Sequence, residues 1–224
     1  MHLLTVINVV YKNSKILIVY KESGLPTAPL KNSTNDNLVS RVEAEYPQIM
    51  AVSGYQPWEG GLVHRLDNLT KGLVIFALSQ SAFDFLNYQQ KNDMLIKEYR
   101  AKSNGINSVL PGFPPYTFNG VDDGPVSIIS SFRAFGPKGA SVRPLAIKNG
   151  EKVYRTDIVK ESENSYICTI TQGFRHQIRC HMAWAGHPLI GDERYGGKEG
   201  EFGLEAIGLS FVDPESKKNI SIKI

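Results

Sequence analysis

The sequence predicts an α+β fold: a mixed, mostly antiparallel sheet with flanking helices and loops. Three observations lead there. Short β-branched or alternating apolar runs outnumber helical patterns. Neighbouring runs follow one another across short turns, as hairpins do. Only three segments carry helix start and stop signals.

Residues 4–11 and 16–21 read as two strands joined by Lys12-Asn13-Ser14-Lys15, which is turn chemistry. Gly24, Pro26 and Pro29 mark a loop. Residues 37–45 read as a helix, with Thr34, Asn35 or Asp36 as candidate caps and Pro47 as the stop. The run Leu-Val-Ile-Phe-Ala-Leu at 73–78 is short and apolar and predicts a buried strand. Ser79 or Ser81 can cap a helix reaching Lys91, with Phe85 and Tyr88 three apart. Residues 96–102 alternate as a strand does. The stretch 103–140 holds Pro111, Pro114, Pro115, Pro125 and Pro137 and reads as an irregular insertion. Residues 152–160 and 165–171 form another strand pair. A helix over 174–185 ends at Gly186 and Pro188. Strands near 207–212 and 219–223 close the chain. No shift in composition divides it, so a single domain over 1–224 is expected.

Composition excludes several classes. The 224 residues are 42% hydrophobic and 21% charged, too apolar for a disordered chain. Cys168 and Cys180 are the only cysteines, which excludes a disulfide scaffold. No apolar run approaches the roughly 18 residues of a membrane span. The apolar start lacks a basic lead and contains Asn8, so it reads as a strand rather than a signal peptide. The expected location is the cytoplasm, without membrane attachment. A net charge of +3 permits a polyanionic partner without demanding one.

Three clusters can carry chemistry. The densest is Gly60-Gly61-Leu62-Val63-His64-Arg65-Leu66-Asp67-Asn68-Leu69-Thr70-Lys71-Gly72-Leu73. Asp67 sits in a loop just before a buried strand, where a carboxylate can face a cleft on a fixed backbone. His64 and Arg65 are near enough to share its site. Asp67 and Thr70 can equally do no more than organise a turn. The second cluster is Gly173-Phe174-Arg175-His176-Gln177-Ile178-Arg179-Cys180-His181-Met182. On a helix, Phe174, Ile178 and Met182 form a buried stripe. Arg175 and Arg179, four apart, share a neighbouring face. A guanidinium facing a cleft can hold a carboxylate or phosphate with two bonds, while a solvated basic face is the plainer reading. His176 and His181 are five apart and lack the zinc-binding helix spacing, and the cysteines supply none either. The third cluster is Lys97-Glu98-Tyr99-Arg100-Ala101, in which Tyr99 and Lys97 share a strand face. Tyr99 between basic residues suits stacking on a nucleobase, or ordinary sheet packing. His64-Arg65-Leu66-Asp67 differs from the kinase loop by the intervening Leu66, and no phosphate-binding glycine loop is present.

Together and in order, the clusters resemble the RluA branch of the RNA pseudouridine synthases. Gly61-Leu62-Val63-His64-Arg65-Leu66-Asp67 with Thr70 and Gly72 resembles the signature around that family's nucleophilic aspartate. Lys97-x-Tyr99-x-Ala101 resembles its tyrosine motif. His176-Gln177-Ile178-Arg179-Cys180-His181, then Gly186-His187-Pro188-Leu189-Ile190-Gly191-Asp192 and Tyr195-Gly196, resembles its arginine motif. Leu17-Ile18-Val19-x-Lys21 with Gly24-Leu25 matches its opening hairpin, and Leu209-Ser210-Phe211-Val212-Asp213-Pro214 its last core strand. The resemblance covers nearly the whole chain. It implies isomerisation of uridine to pseudouridine in RNA, ribosomal or transfer, with no cofactor and no metal. It implies Asp67 as nucleophile, Arg65 taking the place of a flipped-out base, Tyr99 stacking on the target and Arg179 pairing with Asp67. His64 is expected to support the site.

Three positions depart from the pattern: Lys71 stands where Ser is common, Phe174 where Arg often follows the glycine, and Glu205 where His is common. Since the opening hairpin begins almost at once, no S4-type domain is expected before it. RNA binding then rests on the catalytic domain, with a contribution expected from 103–140 and a monomer as the simplest assembly. Two other readings are a non-catalytic RNA-binding protein on the same fold and an unrelated hydrolase using Asp67 and His64. The first does not need Asp67. The second needs another acid or base that the motif does not offer.

Overall fold

The computed structural model describes residues 7–29, 35–105, 110–147 and 150–224. In chain order the elements are β1 (Asn8–Lys12), β2 (Ile16–Lys21), α1 (Leu38–Glu45), β3 (Lys71–Ala77), α2 (Gln80–Lys91), β4 (Ile96–Lys102), β5 (Val126–Phe135), β6 (Ser141–Leu145), β7 (Tyr154–Ser162), β8 (Ser165–Ile170), α3 (Gln177–Trp184), β9 (Leu204–Val212) and β10 (Asn219–Lys223). The α+β class with a largely antiparallel sheet is as the sequence predicts. No helix among the described residues is long and apolar enough to cross a membrane.

The chain divides into two compact units. One takes the chain to Ile96 and again from Ala206; the other is Lys97–Glu205. No linker announces the division, because both boundaries fall inside strands, β4 and β9.

In the first unit the strands run β1-β2-β3-β9-β10, with β1/β2, β2/β3 and β9/β10 antiparallel. The first hairpin turns as expected: Asn13 Oδ1 accepts from the amides of Lys15 and Ile16, both at 2.9 Å. The expected first strand reached back to Leu4, but residues 4–6 lie outside the described residues. α1 is capped by Asn37, whose side chain accepts from Ser40 N, rather than by the three candidates before it. Thr34 lies outside the described residues. α2 begins at the Ser79 cap and buries Ala82, Phe83, Leu86 and Gln89, leaving Tyr88 exposed. Its apolar face joins Leu73, Ile75 and Ala77 of β3 and Leu209 and Phe211 of β9 in one core. Gln89 bonds both backbone groups of Val212, at 2.9 and 2.7 Å, and so fixes α2 on β9.

In the second unit the order is β4-β8-β7-β5-β6, all antiparallel. The expected irregular insertion at 103–140 contains the ten-residue strand β5. Its flanking glycines and prolines mask an alternation in which Val126, Ile128 and Ser130 are buried. β6 was also missed. It carries Pro144 and lies at the end of the strand order, where a missing amide is tolerated. The rest of the stretch is pinned. Trp184 Nε1 donates to Pro114 O at 2.8 Å, Tyr116 and Phe118 pack edge-on against the Trp184 ring, and Tyr166 donates to Asp122. Shortening it would remove these contacts and so should destabilise this unit.

α3 is buried at every residue, so the expected one-sided stripe does not apply. It starts at Gln177 rather than 174, because His176 adopts φ +58, outside the helical region. Arg175 is therefore off the helix and shares no helix face with Arg179. Instead its Nη2 donates to the carbonyls of Gly139 and Ser141.

Candidate active site

In the first unit, residues 61–70 form a loop clamped from both sides. Its entry runs against β3: Ala77 N donates to Gly61 O at 2.7 Å and Val63 N to Ile75 O at 3.1 Å. A Cβ on Gly61 would lie 2.0 Å from Ala77 O, so only glycine fits. His64 is buried, and its Nε2 accepts from Ile75 N at 3.4 Å. At the exit, Gly72 has φ +118 and a Cβ there would meet Ala206 O at 2.2 Å. The two glycines of the motif are thus explained by close backbone approach.

Around Asp67 the backbone is held residue by residue. Thr27 Oγ1 donates to Leu66 O at 2.7 Å and accepts from Leu66 N at 3.1 Å. Asp67 O accepts from Thr70 N at 3.1 Å. Asn68 O accepts from Gly24 N at 2.8 Å and from Lys21 Nζ at 3.0 Å. Ser23 Oγ donates to Leu69 O. Lys21 is fully buried and gives its remaining hydrogens to the carbonyls of Glu22 and Leu25, at 2.9 and 2.7 Å. Burial pulls its ammonium down to about 8, against the opposing negative charges of Asp67 and Glu22. The Asp67 side chain is half-buried. A carboxylate on a fixed backbone beside a buried cation is pre-organised for chemistry at a developing charge.

Arg65 extends the other way. Its side chain is 57% exposed, and Nη1 meets the buried Glu59 Oε1 at 3.1 Å. Burial raises the Glu59 carboxyl and Arg65 opposes the rise.

In the second unit, Lys97, Tyr99 and Ala101 share the buried face of β4, as predicted. Lys97 Nζ donates to Thr171 O at 2.9 Å. Arg179 is buried and meets Asp192 with two bonds, Nε to Oδ2 at 2.7 Å and Nη2 to Oδ1 at 2.8 Å. The guanidinium also lies over the Tyr195 and Phe202 rings, at 5.2 and 5.3 Å. His181 is wholly buried between Ser130 Oγ and Thr156 Oγ1, and burial pulls it down to about 3, so it is neutral. Both cysteines are buried and unbridged, and burial pushes their thiols up. Among the described residues no three His, Cys, Asp or Glu side chains group to hold a metal ion.

Sequence reasoning assigned no role to Lys21, Thr27, Glu59 or Asp192. The signal for Lys21 was a lysine closing the apolar run Ile-Leu-Ile-Val-Tyr. Asp192 stood in a quoted motif, but its pairing depends on a turn that spacing does not reveal. Thr27 and Glu59 left no signal, since their partners are 39 and 6 residues away.

Thr27→Val keeps the shape of the side chain and removes both bonds to Leu66. It is expected to cost about 1–2 kcal/mol, because a donor and an acceptor lose their partner in a buried place. Chemical denaturation measures this; an unchanged midpoint would refute the clamp.

The scaffold is thus an α+β fold that clamps an aspartate loop between two forced glycines in one unit and carries the tyrosine motif on β4 and the arginine motif on α3 in the other. The chain belongs to the RNA pseudouridylate synthase family, whose model matches residues 15–184. It is 28% identical over 236 aligned positions to ribosomal large subunit pseudouridine synthase D of Neisseria meningitidis, covering 97% of this chain and 57% of that one. Against the Haemophilus influenzae protein of the same name it is 29% identical, covering 86% of this chain and 53% of that one. The chain thus spans little more than half the length of these curated relatives. Among solved structures, human RNA pseudouridylate synthase domain containing 1 shares the fold, with TM-score 0.67, 19% identity and coverage of 99% of this chain and 84% of that one. The RluA-branch resemblance of the motifs agrees with these relatives.

Proposed function

We propose that this chain isomerises uridine to pseudouridine within RNA, with Asp67 as the nucleophile. The observation that carries the reading is the clamped backbone of Asp67 inside the family-matched stretch. The reaction breaks the N1–C1′ glycosidic bond, turns the uracil, and joins C5 to C1′. N1 gains a proton and C5 loses one, so no redox partner is needed. A carboxylate answers the charge that develops at an anomeric carbon. Holding the freed uracil in place prevents its loss and makes the second bond effectively intramolecular.

The base must leave its stack, which costs a few kcal/mol. Arg65, largely exposed, fills the gap in this reading, and Tyr99 stacks on the target for about 1–3 kcal/mol. Arg179 supports the Asp67 carboxylate, and Asp192 orients the guanidinium for that task. His64 ties the loop to β3. The names of the relatives favour ribosomal RNA, and transfer RNA is the second substrate to test. The reading places the protein in the cytoplasm as a monomer.

Nucleoside analysis of RNA incubated with the protein tests this. Pseudouridine should appear as uridine falls, with no free uracil. Free uracil would point to glycosidic hydrolysis instead. RNA affinity should also drop steeply with salt, log Kd rising against log salt with a slope of about 0.7–0.9 per phosphate contacted. A flat dependence, read by filter binding, would remove RNA as the ligand.

A further inference from the structure

The chain has nine arginines, at 41, 65, 100, 133, 143, 155, 175, 179 and 194. Five pair with carboxylates: Arg41 with Asp36, Arg65 with Glu59, Arg100 with Glu161, Arg155 with Asp157 and Arg179 with Asp192. Among the described residues, Arg133, Arg143, Arg175 and Arg194 pair with none. All four gather at the turn end of the β5–β6 hairpin, in the second unit.

The hairpin explains how. One face is rooted in the core: Phe132 stacks on Phe174 at 5.0 Å, and Val142 packs with Cys180, Ala183 and Tyr195. The other face carries Arg133 directly opposite Arg143. Arg143 reaches Gly112 O at 2.9 Å and lies over the Phe135 ring at 5.5 Å. At the turn, Arg175 donates to the carbonyls of Gly139 and Ser141, and Arg194 to that of Ala140. Two guanidiniums are thus seated on three successive carbonyls. Exposed Lys138, at φ +52, adds a fifth cation in the same turn. Like charges directly opposite on a sheet are destabilising. A chain with a net charge of only +3 has concentrated five cations here, none of them paired with a carboxylate among the described residues; Glu151 is taken up instead by Ser131 Oγ at 3.1 Å. Each guanidinium keeps further N–H donors for an outside acceptor.

We infer that the turn end of the β5–β6 hairpin is a phosphate-binding surface that grips the RNA backbone through Arg133, Lys138, Arg143, Arg175 and Arg194. The occupant is a row of phosphates, since five cations along one hairpin end exceed what a single anion can engage. This extends the reading of the chain as an RNA-modifying enzyme and rests on it for the identity of the polyanion. The contacts are to the backbone, so they add affinity and register without reading sequence.

The test uses the full chain and a labelled ribosomal RNA stem-loop. Arg133 and Lys138 bond to nothing else among the described residues, so Arg133→Gln/Lys138→Gln removes charge without removing a structural contact. The double variant should bind about tenfold more weakly and lower the salt slope by about 1–2, as loss of two phosphate contacts does. Arg133→Lys should keep the slope, and Lys218→Gln, in the other unit, should leave affinity and slope unchanged. An unchanged affinity and slope in the double variant would overturn the surface, as would an equal loss in Lys218→Gln. A lowered slope in a protein that makes no pseudouridine would keep the surface and remove the isomerase reading. Full isomerase activity with an unchanged slope would do the reverse.

Discussion

Arg179→Met is expected to lower folding stability by about 3–5 kcal/mol. Arg179 and Asp192 are joined by two bonds at 2.7 and 2.8 Å, and their side chains are only 7% and 1% exposed. Methionine keeps much of the stem volume between Tyr195 and Phe202 but leaves the Asp192 carboxylate buried without its counter-charge. The loss comes chiefly from that stranded charge, so Arg179→Met/Asp192→Leu should recover most of it. Urea unfolding of the two variants measures both numbers. A single variant within about 1 kcal/mol of wild type would contradict a buried, coupled pair. Because the guanidinium is also proposed to support Asp67, the double variant should regain stability without regaining turnover. That split separates the structural share of Arg179 from its share in the reaction.

The fold was legible wherever local chemistry and tertiary need agree. The first hairpin, β3, α2 and β4 all follow from turn residues, apolar period and caps. The second unit was harder to read. Prolines and glycines around β5 are turn signals in most chains, and here they bracket a strand that pairs with the proline-bearing β6 next to it and with β7 further on. Helix α3 lost its first three expected residues to one left-handed backbone, at His176, which periodicity cannot show. The site divides in the same way. Asp67, His64 and Arg65 lie in one contiguous motif, so the sequence could offer them together as candidates. Thr27 reaches the loop across 39 residues and Asp192 meets Arg179 across a turn, and only folding brings those groups together.

Asp67→Asn should abolish turnover, by at least about a thousandfold, because the amide is neither a nucleophile nor a charge at the reacting carbon. The backbone around residue 67 is held by Thr27, Lys21, Gly24 and Thr70 through main-chain atoms, none of which the substitution touches. The loop should therefore keep its shape, and the unfolding midpoint should stay near that of wild type. RNA affinity should remain within about twofold, since binding rests on phosphate contacts away from this carboxylate. A variant that lost RNA binding in step with turnover would place Asp67 in binding rather than chemistry.

Tritium release from RNA labelled at uridine C5 tests the central claim most directly, because joining C5 to C1′ must expel the C5 hydrogen to water. The wild-type protein should release tritium from ribosomal or transfer RNA in step with pseudouridine formed, and Asp67→Asn should release none. Release by the variant at the wild-type rate would contradict Asp67 as nucleophile. No release by the wild type from either RNA, with binding intact, would contradict the isomerase and leave an RNA-binding protein on this fold.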